Sequence, residues 1–232
     1  MTADKNGAFD KYADDYDAAL TRGISVSGEN KDYFERRRIE WLCRCLPRFS
    51  TSARRVMDYG CGIGSSAQHF LDMPDVEGFF GVDQSQRALE IARRSHPSDR
   101  AHFNMISAYE PYGQFDLAYC NGVFHHIPPA DRGAAIDYIY RALRRGGVFA
   151  LWENNPWNPG TRYVMGRIPF DRDAITLGAP EARRLVRDRG FDILRTDFLF
   201  LFPRILSWFR WIEPLCSRLP LGAQYQVLCR KP

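Results

Sequence analysis

The chain has 232 residues, a formal net charge of +4, and a composition that is 45% hydrophobic and 26% charged, as in ordinary globular proteins. The positive charge is weak and scattered, so it gives no sign of a nucleic-acid partner, and the six cysteines lack the spacing of a disulfide framework or a zinc site. The polar N-terminus is unlike a signal peptide, and the longest apolar run, residues 198–203, is far below the roughly 20 residues that span a bilayer, so we expect a cytoplasmic protein with reduced cysteines and no bound metal.

Two amphipathic helices are predicted in the first part of the chain. Apolar residues recur at helical spacing within residues 9–20 and again within residues 31–46. Residues 21–30 contain two glycines and three Ser or Thr residues, a composition typical of a loop. We expect residues 1–50 to form a helical lid on a domain that covers residues 51–232.

The next hundred residues alternate between strand and helix patterns. The predicted strands are short and apolar, and they cover residues 54–59, 78–83, 101–106, 115–121 and 148–153. The predicted helices lie between them, from Gly64 to residue 71, over 86–94, and from Asp131 to Leu143, the last ended by Gly146 and Gly147. This alternation predicts right-handed βαβ units and a parallel sheet covered on both faces.

The C-terminal part of the chain has a different pattern. A helix over residues 180–189 is followed by strand candidates at 191–202 and 222–231. Two strands with a short connection predict an antiparallel hairpin at one sheet edge. The sequence therefore predicts an α/β fold of the Rossmann-like type: a seven-stranded, mostly parallel sheet with an antiparallel last strand and helices on both faces.

A glycine-rich loop follows the first predicted strand. Gly60, Gly62 and Gly64 have the spacing G-x-G-x-G, and glycines at such a turn let a ligand approach the backbone at the carboxyl end of the strand. The third glycine of the dinucleotide pattern G-x-G-x-x-G is missing, and the loop lacks the lysine of a P-loop. Asp83 ends the second strand, where a carboxylate can accept both hydroxyl groups of a ribose.

These motifs resemble those of the class I S-adenosylmethionine-dependent methyltransferases. Residues 56–64 resemble the first signature motif of the family, hydrophobic-x-(D/E)-x-G-x-G-x-G; residues 81–85 resemble the second, and residues 115–121 the motif of the fourth strand. The resemblance covers about residues 9–154 closely and the rest loosely. It implies S-adenosylmethionine as the cofactor and methyl transfer by in-line displacement.

The resemblance also implies which residues contact the cofactor. Gly60, Gly62 and Gly64 would pass under its methionine part. Asp58 would lie near its amino group, and Asp83 would hold its ribose.

Further contacts are implied at the adenine and at the lid. Gln84 would flank the adenine, and Asn121 would offer its backbone carbonyl. Ser107 stands where the family often has Asp, so adenine recognition there would use backbone groups. Similar methyltransferases begin with a Phe-Asp-x-x-Ala-x-x-Tyr-Asp helix that covers the cofactor, and Tyr12 and Tyr16 lie one turn apart on its counterpart here. Their rings could attract the sulfonium, or they could serve apolar packing.

Three residues are candidates for catalytic roles. His125 and His126 follow the fourth strand, and histidine titrates near neutral pH, so either could deprotonate an acceptor. Glu153, at the end of the fifth strand, is a further candidate base. The alternative is structural, with the histidines capping a helix or bonding a backbone carbonyl.

A polar segment follows the fifth strand at the same edge of the sheet. Its amides and indole suit recognition of a polar substrate, and its members are Asn154, Asn155, Trp157 and Asn158. The alternative is a proline-pinned loop whose asparagines satisfy turns.

Residues 198–221 form an aromatic-rich stretch with interspersed arginines, and residues 203–221 within it read as an insertion. This stretch could be a substrate lid, a dimer surface, a helix lying on a membrane, or part of the domain's own core.

The function expected from these features is methyl transfer to a small-molecule acceptor, with an oxygen nucleophile. A lipid-linked or membrane-associated glycan or isoprenoid acceptor is the first alternative, and a non-catalytic cofactor-binding protein the second. The missing third glycine disfavours a nicotinamide oxidoreductase. The tetrad that stacks a flipped base is absent after the fourth strand, which disfavours a nucleic-acid methyltransferase. The sequence leaves the oligomeric state open.

Overall fold

The computed structural model describes residues 21–169, 171 and 174–232. We number the strands and α-helices in chain order. The strands are β1 (Arg55–Tyr59), β2 (Gly78–Asp83), β3 (Ala101–Met105), β4 (Phe115–Asn121), β5 (Leu143–Asn154), β6 (Asp192–Leu199) and β7 (Gln224–Arg230). The α-helices are α1 (Lys31–Cys45), α2 (Ala67–Leu71), α3 (Gln86–Ser95), α4 (Arg132–Ala142), α5 (Pro159–Arg167), α6 (Ala179–Arg187) and α7 (Glu213–Cys216). Short 3-10 helices cover Ser25–Ser27, Leu46–Phe49, Ile106–Ala108 and Arg204–Ile212.

The seven strands form one sheet in the order β3-β2-β1-β4-β5-β7-β6. Neighbouring strands pair in parallel, except that β7 runs antiparallel between β5 and β6. The predicted fold class is therefore confirmed. Since β1 pairs with β2 on one side and β4 on the other, the loops that leave β1 and β4 diverge and open a crevice at the carboxyl edge of the sheet.

Each face of the sheet packs against its own apolar cluster. On one face Ile136 of α4 and Val186 of α6 pack with Phe149 of β5. On the other, Leu42 of α1 and Phe70 of α2 pack with residues of the central strands. Residues of β4 alternate between the two clusters, as the two-residue period of a strand requires. This rigid double-covered sheet holds the loops of the carboxyl edge in place.

Helix starts are capped by side chains that the sequence provides. Asn30 accepts a hydrogen bond from the Tyr33 N–H at 2.8 Å at the start of α1, and Ser85 accepts one from the Ala88 N–H at 3.1 Å at the start of α3. These caps fix where each helix begins relative to the strand or loop before it.

Two predictions about element boundaries are wrong. Gly146 and Gly147 do not end α4, because that helix stops at Ala142 and β5 begins at once with the fully buried Leu143. Gly146 instead takes φ +76° within β5, and its N–H donates to the Lys231 carbonyl at 2.8 Å. The connection between β6 and β7 is also not short: it runs over residues 200–223 and contains a 3-10 helix and α7.

Other differences are smaller. The predicted loop at residues 21–30 contains the 3-10 turn Ser25–Ser27, and α5 was not predicted. The predicted helix at residues 9–20, with Tyr12 and Tyr16, lies outside the described residues. Among the described residues, no helix has the length and apolar character needed to cross a membrane.

Candidate active site

The glycine loop lies at the carboxyl end of β1, in the crevice of the sheet. Gly60, Gly62 and Gly64 have φ values of +75°, +53° and +81°, which L side chains rarely adopt. A Cβ at Gly60 would lie 2.4 Å from the Val123 Cγ2 atom, so that glycine is required by packing. A Cβ at Gly62 would meet nothing within 4 Å among the described residues, apart from its chain neighbours. The backbone at Gly62 is therefore open to a ligand.

Asp83 joins the glycine loop to the next turn. Its Oδ2 atom accepts a hydrogen bond from the Gly62 N–H at 2.8 Å, and its Oδ1 atom accepts one from the Ser85 N–H at 2.8 Å. Gln84 is exposed beside it, and Ser107 is exposed in the 3-10 turn that follows β3. The residues expected at the ribose and adenine thus lie at the ends of neighbouring strands.

Two buried polar groups near this loop fit an absent ligand. Burial raises the pKa of Asp58 to about 8, although the Ser66 hydroxyl donates a hydrogen bond to its carboxylate. A carboxyl group held in this way is complementary to a cation such as the amino group of S-adenosylmethionine. The buried Oδ1 atom of Asn121 accepts no hydrogen bond from the described part of the chain. The Asp58 carboxyl suits the contact to the amino group that the sequence implies, whereas the Asn121 observation concerns the side chain and not the backbone carbonyl that was expected to make the contact.

A cavity of about 410 Å³ lies beyond the ends of β4 and β5. Asn121 and Gly122 border it, so it adjoins the expected cofactor site. Much of its wall is apolar and comes from several separate segments, with contributions from Ile24, Phe34, Met165, Ile168, Phe200 and Leu201. A cavity of this size and character suits a small organic molecule.

His125 is held between two carboxylates next to this cavity. Its Nδ1 atom lies 2.6 Å from Glu153 Oε2, and its Nε2 atom lies 3.4 Å from Asp171 Oδ1. Burial alone would lower the pKa of His125, but Glu153 and Asp171 outweigh burial and raise the pKa to about 10. This raised pKa favours the protonated form of His125, which can give a proton but not accept a further one.

Glu153 is fully engaged as well. Its Oε1 atom accepts a hydrogen bond from the Phe124 N–H at 2.7 Å, while Oε2 pairs with His125. The side chain is 1% exposed, and it does not line the cavity. Its position is that of a support that fixes His125 and the turn after β4.

His125 and His126 both line the cavity, and the His126 side chain is the more exposed of the two, at 15% against 3%. The Nε2 atom of His126 lies 3.3 Å from Asp171 Oδ1. Burial alone would raise the pKa of Asp171, but its hydrogen bonds to His125 and His126 outweigh burial and lower the pKa. Donor atoms of these three residues lie within 4.8 Å of one another, a grouping that could hold a metal ion. The pairing of Asp171 with both imidazoles accounts for the grouping without one.

The structure divides the polar segment predicted to bind substrate. Asn154 and Asn158 line the cavity, and Asn158 also caps α5 by accepting a hydrogen bond from the Thr161 N–H at 3.0 Å. Asn155 is fully buried, and its amide donates to the carbonyls of Pro220 and Gly222 at 3.1 and 2.8 Å. Trp157 is exposed and does not line the cavity. Asn155 and Trp157 are therefore not brought to the site.

Sequence reasoning missed a buried charged group on the cavity wall. Arg38 of α1 donates to Glu35 at 2.6 Å, to Gln224 at 2.9 Å and to the Tyr119 hydroxyl at 3.2 Å. The only signal in the sequence was the three-residue spacing of Glu35 and Arg38 within the helix. The network ties α1 to the sheet and fixes one side of the cavity.

Comparisons with known proteins identify the family and the fold of this chain. The family described as "Methyltransferase domain" matches residues 56–147. The trans-aconitate 2-methyltransferase of Variovorax paradoxus is 33% identical over 199 residues, which cover 76% of this chain and 75% of that protein. A crystal structure of an S-adenosylmethionine-dependent methyltransferase from Thermotoga maritima shares the fold with a TM-score of 0.67 and 19% identity, covering 97% of this chain and 98% of that one.

Some other relatives match over a shorter region of the chain. The chain spans 38% of the trans-aconitate 2-methyltransferase of Rhizobium leguminosarum, with 31% identity over 98 residues, or 42% of this chain. It spans 25% of an uncharacterized protein of Synechococcus, with 32% identity over 105 residues, also 42% of this chain. The Variovorax relative extends the likeness well beyond that region. The chain belongs to the class I S-adenosylmethionine-dependent methyltransferases, and S-adenosylmethionine is its cofactor.

Proposed function

We propose that this methyltransferase transfers the methyl group to an oxygen atom of a small-molecule acceptor bound in the 410 Å³ cavity. The observation that carries the proposal is the position of His126, a titratable side chain on the cavity wall that a buried carboxylate orients. The cavity begins beside Asn121 and Gly122, next to the expected cofactor site.

Bound S-adenosylmethionine supplies an electrophilic methyl group on its sulfonium. An acceptor hydroxyl group that received this methyl group would have to lose its proton. His126 takes that proton, and Asp171 holds the imidazole in place and stabilises the cation that forms. The cavity walls orient the acceptor and limit its contact with water.

The apolar walls favour an acceptor with an apolar body that carries a hydroxyl group. The Variovorax and Rhizobium relatives bear the name trans-aconitate 2-methyltransferase. A carboxylate is already ionised at neutral pH and needs no base, so a carboxylate acceptor would leave His126 without a catalytic role. The two kinds of oxygen acceptor therefore differ in how much they depend on His126.

The test is methyl transfer from isotopically labelled S-adenosylmethionine to a panel of apolar phenols and alcohols and to carboxylic acids that include trans-aconitate, read by mass spectrometry. We expect turnover of a hydroxyl acceptor, with kcat reduced by about 10²–10⁴-fold in His126→Gln. Affinity for S-adenosylhomocysteine should be unchanged in this variant.

Turnover of a carboxylate alone, insensitive to His126→Gln, would show an oxygen acceptor but overturn the role of His126 as base. Methylation at nitrogen, carbon or sulfur would overturn the oxygen assignment. Binding of S-adenosylhomocysteine without turnover of any panel member would favour a non-catalytic cofactor-binding protein.

A further inference from the structure

The connection between β6 and β7 exposes a row of large apolar side chains. We call Ile205, Trp208, Trp211 and Leu215 the apolar ridge; they are 86%, 71%, 72% and 77% exposed. Trp208 and Trp211 are three residues apart in the 3-10 helix Arg204–Ile212, a spacing that places both on the same side of such a helix. Of the four alternatives for this stretch, packing into the domain's own core does not hold for these four residues.

Two charged residues of the same segment, Arg210 and Glu213, point inward and fix its orientation. Arg210 forms an ion pair with Glu29 at 2.8 Å, donates to the Phe202 carbonyl at 3.2 Å, and stacks over the Tyr33 ring at 4.7 Å. Glu213 is 4% exposed and accepts a hydrogen bond from the Leu201 N–H at 2.6 Å. The segment thus turns Arg210 and Glu213 inward, leaves Arg204 exposed, and presents large apolar side chains to the outside, which is unusual in water.

Basic side chains lie beside the apolar ridge. A shallow groove next to Trp211 is lined by Arg36, Arg37 and Arg44 of α1 and by Glu40, which pairs with Arg36 at 3.7 Å and with Arg37 at 3.0 Å, so the arginines outnumber the acidic residue. Arg218 follows the ridge with a side chain that is 60% exposed. Exposed tryptophans flanked by arginines are typical of segments that lie in the interface of an anionic bilayer.

We propose that the apolar ridge docks this protein onto an anionic lipid bilayer. A second copy of the chain is a poorer occupant, because a two-fold contact through this surface would bring the same arginines face to face. A bilayer instead offers hydrocarbon to the tryptophans and anionic headgroups to the arginines. The hydrophobic and electrostatic contributions would then act together.

The docking surface is continuous with the wall of the cavity. Phe202 and Pro203 line the cavity and immediately precede the 3-10 helix that carries the ridge. Docking would therefore hold the cavity near the lipid, so that an amphiphilic acceptor could reach it directly. This last step rests on the proposed function, whereas the docking itself does not.

The test is co-sedimentation of the full chain with vesicles of phosphatidylcholine alone or mixed with phosphatidylglycerol. We expect binding to the anionic vesicles, at least tenfold weaker binding at 0.5 M salt, and tryptophan quenching by brominated lipid. The double variant Trp208→Ser/Trp211→Ser should lose at least tenfold in vesicle affinity while binding S-adenosylhomocysteine normally. Tyr112→Ser is the matched control, because Tyr112 is 72% exposed in the turn before β4, at the opposite edge of the sheet.

Two results would overturn the proposal. One is that the wild-type protein binds S-adenosylhomocysteine but binds neither kind of vesicle. The other is a dimer, measured by sedimentation velocity, that the double variant abolishes, because the ridge would then be a contact between copies. Neither result depends on methyl transfer, so failure of docking and failure of the proposed function are separable.

Discussion

Asp58 shows how a single buried group can couple ligand binding to protons. Burial raises its pKa to about 8, so in the ligand-free protein it carries a proton at neutral pH. A cation bound beside it would lower the pKa and release that proton. We therefore expect the affinity for S-adenosylhomocysteine to increase as the pH is raised towards 8, by up to about tenfold per pH unit. Calorimetry in buffers of different ionisation enthalpy would measure the proton released, and Asp58→Asn should release none.

Burial of Asp58 should also lower the free energy of unfolding of the ligand-free protein. The pKa of Asp58 is raised from 3.8 to about 8, so between these values the folded state holds a proton that the unfolded state has released. The contribution of Asp58 to the free energy of unfolding therefore falls as pH rises from about 4 to about 8. Asp58→Asn should raise the melting temperature of the ligand-free protein at pH 8 and weaken S-adenosylhomocysteine binding. A variant that melts lower and binds normally would contradict this account of the site.

The pair formed by Glu153 and His125 is a second buried charge arrangement. Glu153→Gln would leave the His125 imidazolium without its nearest partner, so we expect a loss of about 3–5 kcal/mol in the free energy of unfolding. Urea unfolding of the wild-type and variant proteins at pH 7 measures this loss. The double variant Glu153→Gln/His125→Gln should recover part of the loss, because it removes the charge as well as its partner.

The pH dependence of this pair has a definite sign. The pKa of His125 is raised from 6.5 to about 10, so its contribution to stability is complete below about pH 6.5 and is lost as pH rises through about 10. Wild-type protein should lose stability over this range more steeply than His125→Gln. Parallel curves for the two proteins would show that His125 is not held as a cation.

At the scale of an element, glycine in the loop between β1 and α2 can be required for two reasons: its backbone conformation and the space it leaves for the cofactor. Gly62 has φ +53° and open space around its Cβ position, and Gly146 in β5 has φ +76° with equally open space. Alanine at either position should cost roughly 1–2 kcal/mol in backbone strain. Only Gly62→Ala would also place a methyl group where the cofactor approaches, so it should lose at least tenfold in S-adenosylhomocysteine affinity. Similar affinities of the two variants would place the cofactor away from this loop.

Sequence patterns predict the elements well where local chemistry decides them. The strands β2 and β4 begin and end where predicted, because apolar runs and turn residues bound them on both sides. The double glycine misleads because its role depends on β7: Gly146 bonds to Lys231, which lies far away in the sequence. Helix α5 was hidden in a proline-rich stretch, although Asn158 and Pro159 are a typical helix start.

At the scale of the whole molecule, the positions of the glycine loop and Asp83 were easier to predict than the walls of the cavity. The glycine loop and Asp83 lie in consecutive strand–helix units, whose arrangement in a parallel sheet is almost fixed. The acceptor cavity joins α1, α5 and the residues after β6, and Asp171 meets His126 across 45 residues of chain. The spacing of apolar residues in the sequence does not predict such contacts, because they depend on how irregular segments pack over the carboxyl edge of the sheet.

The cofactor site draws on several strand ends at once, so its ligand should stabilise the whole fold. The Gly62 N–H, at the end of β1, already bonds to Asp83, at the end of β2. S-adenosylhomocysteine at 100 times its dissociation constant should add about 2.7 kcal/mol, which for a chain of 232 residues corresponds to a rise of about 5–10 °C in melting temperature. Thermal unfolding measures the shift. Asp83→Ala should abolish it, and a reduced nicotinamide nucleotide should give none, because the loop lacks the third glycine that a dinucleotide requires. An equal shift with the nicotinamide nucleotide would mean that the loop does not discriminate between the two cofactors, and the selectivity assigned to its spacing would be wrong.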